Sequence, residues 1–421
     1  MTTAATDDTI DAALGRWGDY DRDDPFPLFE RVRQAGPVHE VTLADGHRAF
    51  LVLGYAAARE TLNHPDLSKD MLAALARDGG VVAEGLPGPD FARHMLSVDP
   101  PDHTRLRRLA AGAFRRARLE SLEPRIRELV DELLGELAVT EEPVDLVAGF
   151  ARPLPFAVIG ELLGIDRVDQ RRLSGWFAEL FAPYTGAEPP AVAVAASEAI
   201  VGYLDDLVDS RWDAPTEDLV GDLVVACREE LLTRQELLST LFQLIVAGHD
   251  TTTSLIGNGV ARLLQHPDQR DALVSDPVLV PKAVEEMMRV DAPVHHATFR
   301  YAVRDTTIAG VTIPAGRQVL VNLAAAGRDP ERNSDPELFD VRRNGAAHVA
   351  FGHGVHHCLG APLARLEAEI AFTELLRRFP GMQLAVEPED LHWGHGDGLV
   401  LRGLSALPVL LGPSPEDDNR S

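Results

Sequence analysis

The chain has 421 residues, 45% of them hydrophobic and 25% charged. That balance excludes a disordered chain, a collagen-like fibre and a coiled coil. Against 40 basic side chains stand 66 acidic ones, a net charge of −26 whose field repels nucleic acid and anionic lipid.

Residues 1–24 carry Asp7, Asp8 and Asp11 where a signal peptide would carry Lys or Arg. This opening is expected to be acidic and frayed up to Asp24. No apolar run reaches the length of about 18 residues that a membrane span needs. A soluble, cytoplasmic protein is expected, with both cysteines, Cys227 and Cys358, reduced.

From Pro25 the pattern predicts a short helix (Leu28 to Ala35), strand-like pieces (Val38 to Thr42, Ala49 to Leu53) and another helix (Ala56 to Asn63). Residues 68–101 are rich in Gly and Pro without periodicity, as are residues 182–190, and such segments are usually functional or disordered. Apolar stripes at helical spacing run through Leu119 to Leu137, Ala196 to Trp212, Arg234 to Leu264 and Pro281 to Arg289. Strand-like segments return at Phe299 to Val303, Val311 to Ile313, Gln318 to Asn322 and Leu399 to Pro408. The fold class is mainly α with small, mostly antiparallel β-sheets, an α+β arrangement.

Within the long helical stripe, Ala247, Gly248, His249, Asp250 and Thr251 interrupt an apolar helix with poor helix formers. Local rules fail most often at functional sites. A Thr251 hydroxyl can bond the Ala247 carbonyl one turn back, with Asp250 nearby to relay protons. Read alone, the segment is also compatible with a kinked core helix. Glu286 and Arg289 stand three apart on one helical face, where most such pairs are merely solvated.

The most informative stretch runs from Phe351 to Gly360. Gly352, Gly354 and Gly360 surround Cys358, so the backbone turns tightly and a flat group can approach it. Pro362 suits the first turn of the helix that follows, which places Cys358 at a helix N-terminus where a thiolate is favoured. Read alone, Cys358 could also be an inert core thiol or, with His353, His356 and His357, part of a zinc site, although that spacing fits no ordinary zinc pattern.

Phe351, Gly354, Cys358 and Gly360 match the haem-binding loop F-x-x-G-x-x-x-C-x-G, and the chain resembles the cytochrome P-450 family, closest in pattern to actinobacterial macrolide and polyketide hydroxylases. The resemblance covers nearly the whole chain. It implies one large helical domain with a β-rich subregion over residues 25–412 and a flexible tail over 413–421. Ala247, Gly248, Asp250 and Thr251 resemble the family's A-G-x-D/E-T motif, in which Asp250 and Thr251 form the acid–alcohol pair of oxygen activation.

By the same resemblance, Cys358 is the axial thiolate of haem b, with Phe351 packed beside it. His103, Arg107, Arg300 and His356 are its propionate partners. Glu286 and Arg289 form a buried structural pair with Arg343. The pocket is implied to be lined by Met71, Leu72, Val81, Val82, Leu86, Phe91, Phe177, Val246, Ala247, Val294, Leu399 and Val400. His295 and His296 would either hydrogen-bond the guest or face solvent. Arg105, Arg108, Arg115 and Arg116 form either a solvated helical face or a docking patch for a small acidic ferredoxin.

The resemblance implies a monomeric haem-thiolate monooxygenase that takes electrons from NAD(P)H through a ferredoxin reductase and ferredoxin, reduces dioxygen, and oxidises a hydrophobic small molecule such as a macrolide. Alternatives are a steroid, vitamin D-like or terpenoid substrate, a peroxide-driven peroxygenase, or a non-catalytic haem carrier.

Overall fold

The computed structural model describes residues 4–70, 91, 93–140, 143–182, 189–394 and 399–412. In chain order its first part holds α1 (Ala4–Gly15), α2 (Phe26–Ala35), β1 (Val38–Thr42), β2 (Arg48–Val52), α3 (Tyr55–Leu62) and β3 (Leu67–Ser68). The helical body follows: α4 (Asp102–Ala110), α5 (Arg116–Ala138), α6 (Pro153–Leu163), α7 (Arg167–Leu180), α8 (Ala191–Trp212), α9 (Leu219–Arg228), α10 (Arg234–Gln265), α11 (Pro267–Ser275) and α12 (Val280–Val290). Between α5 and α6 lies β4 (Val144–Asp145). The chain then returns through β5 (Arg300–Ala302), β6 (Thr306–Ile308), β7 (Val311–Ile313), β8 (Gln318–Val321), α13 (Leu323–Gly327), α14 (Ala361–Arg378), β9 (Gln383–Leu384) and β10 (Pro408–Leu410).

The main sheet has the order β1-β2-β8-β5-β3. Its β2–β8 pair is parallel, with Leu51 opposite Leu320, and the other pairs are antiparallel. Alternation along β2 sends Phe50 and Val52 to one face and Ala49 and Leu51 to the other. The first face packs on Ala57, Ala58 and Leu62 of α3, the second on Phe26, Phe29 and Val32 of α2. The helices bury a separate, larger core around α10. Its N-terminus is set by a capping box: the Thr233 hydroxyl accepts the Glu236 N–H at 3.1 Å, and the Glu236 carboxylate accepts the Thr233 N–H at 2.9 Å.

The opening segment departs from expectation. Rather than fraying up to Asp24, it forms α1 and then buries Trp17 completely against the sheet. The Trp17 N–H donates to the Thr42 carbonyl at 2.8 Å, and Asp23 accepts the Trp393 N–H at 2.8 Å. Trp17 and Tyr20 supply apolar area that acidic neighbours cannot keep in water. The strand expected over Leu399 to Pro408 also differs. Only isolated bridges form at Leu401 and Leu404, because Arg402 turns its guanidinium inward onto Asp291, and regular pairing begins at Pro408. The tail over 413–421 lies outside the described residues.

Candidate active site

Cys358 stands just ahead of α14, in the loop that opens with Phe351. The Cys358 N–H donates to the Phe351 carbonyl at 2.8 Å and closes the loop. Gly352 and Gly354 both have φ of +74°, a conformation that other residues rarely adopt. At Gly354 a Cβ would also come within 2.5 Å of the Asn63 side-chain oxygen, so α3 can approach the loop only over glycine. Burial prevails and pushes the Cys358 thiol up, against the smaller opposing pull of the N–H groups of Gly360 and Ala361 and the charges of Arg107 and Arg365. Those four groups are the ones a thiolate at the N-terminus of α14 would draw on once an iron ion meets the sulfur.

A set of basic side chains converges near this loop. His103 and His356 pack with their rings tilted and their centroids 4.3 Å apart. Arg300 is buried, and burial lowers it to about 10. Burial, followed by the charges of His103, Lys69, Arg300 and Arg107, lowers His356 to about 3. Lys69, which the sequence reading missed, is buried and donates to the Thr298 and Phe299 carbonyls at 3.0 Å each. Asp99, also missed, accepts the Lys69 N–H at 3.0 Å and brings one negative charge to the group. The charge on Lys69 also helps burial lower His94 to about 4.

Both ring nitrogens of His103 are buried without a hydrogen-bond partner. An orphaned donor beside the buried Lys69 and Arg300 is costly unless anions meet them. Two propionates beside a thiolate ligand are such anions, so these residues fit the haem that the resemblance implies. Among the described residues no group of three or more His, Cys, Asp or Glu could hold a metal ion, so the zinc alternative has no ligand geometry.

On α10 the Thr251 hydroxyl donates to the Ala247 carbonyl at 2.8 Å, and Ala247 and Gly248 remain helical. A Cβ on Gly248 would meet Ile159 of α6 at 3.3 Å. Asp250 faces His249, whose Nδ1 lies 3.0 Å from its carboxylate. The His249 ring stands edge-on to Phe156, which leads to Phe177, Phe242 and Phe91 with successive centroid distances of 5.1, 6.4, 5.6 and 5.0 Å. Phe91 and Phe177 are therefore members of one aromatic row beside α10. Val246, Val294 and Val400 are half-buried. Met71, Leu72, Val81, Val82 and Leu86 lie outside the described residues.

Three expected site residues sit elsewhere. His295 and His296 are buried among core side chains and do not face solvent. His295 packs against the rings of Phe26 and Phe29, and His296 makes bonds to Trp17, Asn322 and Leu399. Leu399 packs its side chain over Gly18. The family resemblance implied these residues near the site, but buried partners from the N-terminal segment and the sheet claim them.

Glu286 receives Arg289 at 2.7 and 2.8 Å, Arg343 at 3.0 Å and the Asp340 N–H at 3.0 Å. Arg289 also donates to the carbonyls of Gly327, Pro336 and Leu338, tying α12 to the segment that leads to the cysteine loop. Of the basic patch, Arg108, Arg115 and Arg116 are exposed. Arg105 is a correction: it is spent on buried Glu236 at 2.6 and 3.1 Å and on Asp102 at 3.1 Å, joining α4 to the start of α10.

No helix among the described residues is long and apolar enough to cross a membrane. The Cytochrome P450 family model matches residues 206–392. The chain is 43% identical over 410 residues to the cytochrome P450 monooxygenase PikC of Streptomyces venezuelae, covering 97% of this chain and 95% of that one. It is 41% identical over 386 residues to the mycinamicin IV hydroxylase/epoxidase of Micromonospora griseorubida, covering 91% and 94%. Its fold matches the tirandamycin C-bound P450 monooxygenase TamI with a TM-score of 0.83 and 42% identity, over 92% of this chain and 98% of that one. With this sequence likeness, this fold and this cysteine loop, the chain belongs to the cytochrome P450 family of haem-thiolate monooxygenases.

Proposed function

We propose that this monooxygenase hydroxylates or epoxidises a macrolide or related polyketide, with electrons passed from NAD(P)H through a ferredoxin reductase and a ferredoxin. The observation that carries the reading is the pairing of the Cys358 sulfur, which accepts two backbone N–H groups, with a carboxylate-poor set of basic side chains, Lys69, His103, Arg300 and His356. The likeness to a mycinamicin hydroxylase/epoxidase and to a tirandamycin-bound monooxygenase supports the polyketide class. The row Phe91, Phe242, Phe177 and Phe156 suits a large apolar guest.

Haem b held by Cys358 supplies dioxygen activation, favoured by electron donation from the thiolate. Lys69 and Arg300 would supply charge, and His103 and His356 hydrogen bonds, to its two propionates, and Arg107 adds positive charge beside the sulfur. Thr251, bonded to the Ala247 carbonyl, presents a hydroxyl at a fixed place on α10. Asp250, next along the helix, is a carboxylate that can pass protons inward from the His249 side. Arg108, Arg115 and Arg116 offer an exposed positive surface to an acidic ferredoxin.

The test is reconstitution of the holoenzyme with ferredoxin, reductase and NADPH against panels of macrolactones, steroids and terpenoids. The expected result is a macrolactone product carrying one oxygen atom from isotopically heavy dioxygen. Turnover confined to steroids or terpenoids would overturn the substrate class. Equal turnover with hydrogen peroxide alone would favour a peroxygenase.

A further inference from the structure

His296 is fully buried where three parts of the chain meet. Its Nδ1 lies 2.8 Å from the Leu399 carbonyl, so Nδ1 carries the proton and donates. Its Nε2 is then an acceptor, and two N–H donors reach it: Trp17 Nε1 at 3.2 Å and Asn322 Nδ2 at 3.2 Å. The Asn322 amide cannot be reversed, because its oxygen already accepts the Ala325 N–H at 2.8 Å. All these bonds fit one neutral tautomer. Burial lowers His296 to about 4, so that tautomer persists through neutral pH.

Leu399 is held a second time by the residue beside Trp17. Gly18 has φ of +108°, and a Cβ there would lie 2.8 Å from Leu399 Cδ2, so the leucine packs directly on the glycine backbone. The following residues are stitched to the segment around His296. The His295 N–H donates to the Val400 carbonyl at 2.8 Å, and the Arg402 N–H donates to the Pro293 carbonyl at 2.9 Å. At the far end the Arg402 carbonyl accepts Asn258 Nδ2 at 3.1 Å, and Asn258 lies on the same helix as Thr251. On the other side, Arg300 of the basic set follows four residues after His296. The segment of Val400 is thus hydrogen-bonded to the stretch that leads into Arg300 and, through Arg402, to the helix that carries the acid–alcohol pair.

We propose that Trp17, Gly18 and His296 form a clamp that sets the position of Val400 and through it the orientation of the substrate. They are positioning residues for specificity. None of them touches substrate, and the clamp rests on the monooxygenase reading of the pocket given above. The N-terminal segment then has a task beyond covering the sheet.

The Trp17→Phe holoenzyme removes one N–H and keeps an aromatic ring. Imidazole and 4-phenylimidazole both ligate haem iron, but only the second carries a rigid ring that reaches a pocket wall. In the variant, 4-phenylimidazole affinity is expected to change by about threefold or more while imidazole affinity holds. The His295 amide is expected to exchange about tenfold faster as the bond to Val400 opens more often. Unchanged 4-phenylimidazole affinity and exchange would overturn the clamp, as would equal shifts for both probes.

Should the variant fail to fold, nitrogen NMR of the wild-type holoenzyme still decides: His296 is expected as the Nδ1–H tautomer through neutral pH, and an Nε2–H form would overturn the proposal. A wild type that binds neither probe at its iron would instead overturn the monooxygenase reading.

Discussion

The Arg365 guanidinium lies over the Phe351 ring, 4.4 Å from its centroid. The same guanidinium bonds Glu285 of α12 at 2.6 and 3.1 Å, and Glu285 also meets His348 at 3.1 Å. Because Phe351 accepts the Cys358 N–H, α12 is linked to the cysteine through Glu285, Arg365 and Phe351.

Arg365→Lys keeps the charge but loses the two-pronged bond and the flat stack. The expected cost is about 1–2 kcal/mol of stability with faster loss of haem, read from urea midpoints and haem retention. An unchanged midpoint and haem content would refute the link.

Glu286→Gln leaves Arg289 and Arg343 without their shared anion. Arg289 and Glu286 are both fully buried, so the expected loss is about 3–5 kcal/mol, far above that of a surface pair. A loss below about 1 kcal/mol in urea denaturation would mean that the carbonyl bonds of Arg289 and Arg343 carry the segment without Glu286.

Thr251→Val keeps the shape of the side chain and removes the bond to Ala247. Substrate-induced spectral shifts should persist, while product formation falls by about 10- to 100-fold and reductant is diverted to hydrogen peroxide. A coupled, wild-type ratio of product to NADPH would exclude this role.

Acid sensitivity has two windows. His296 is lowered to about 4 from an ordinary value of 6.5, chiefly by burial, so the unfolded chain binds its proton first. Stability from that histidine is present above about 6.5 and falls as pH drops toward 4, on the order of 3 kcal/mol in all. Burial alone would raise Glu285, but His348 and Arg365 outweigh it and hold the carboxyl at about 2. Its contribution is present above about 4.3 and is lost as pH falls toward 2. Urea midpoints of His296→Gln should show a flatter pH dependence than wild type in the upper window and the same one in the lower. Parallel curves throughout would contradict the assignment.

Replacing exposed Arg108 and Arg115 by Glu should slow reduction by ferredoxin about tenfold at low salt and flatten its salt dependence, with substrate binding intact. Unchanged stopped-flow reduction kinetics would place ferredoxin elsewhere.

Local patterns were legible in the sequence. Thr251 and Ala247, or Glu286 and Arg289, are three or four residues apart, and helix geometry alone brings each pair together. The cysteine loop is likewise one short run of residues. Lys69 and Asp99 were not legible, because they flank an irregular stretch and meet Arg300 only through the β3–β5 pairing. His296 misled for another reason: a polar residue beside an apolar turn looks available to a ligand, and nothing local reveals that Trp17, distant along the chain, already uses it. Trp17 itself was the overlooked signal, a large apolar ring within an acidic opening.

The most direct test of the account is the spectrum of the reduced, carbon monoxide-bound protein, wild type beside Cys358→Ser. Thiolate ligation predicts the long-wavelength main band in the wild type and its loss in the variant, together with loss of substrate oxidation. A Cys358→Ser protein that keeps both the band and its turnover would contradict the assignment of Cys358 as the iron ligand.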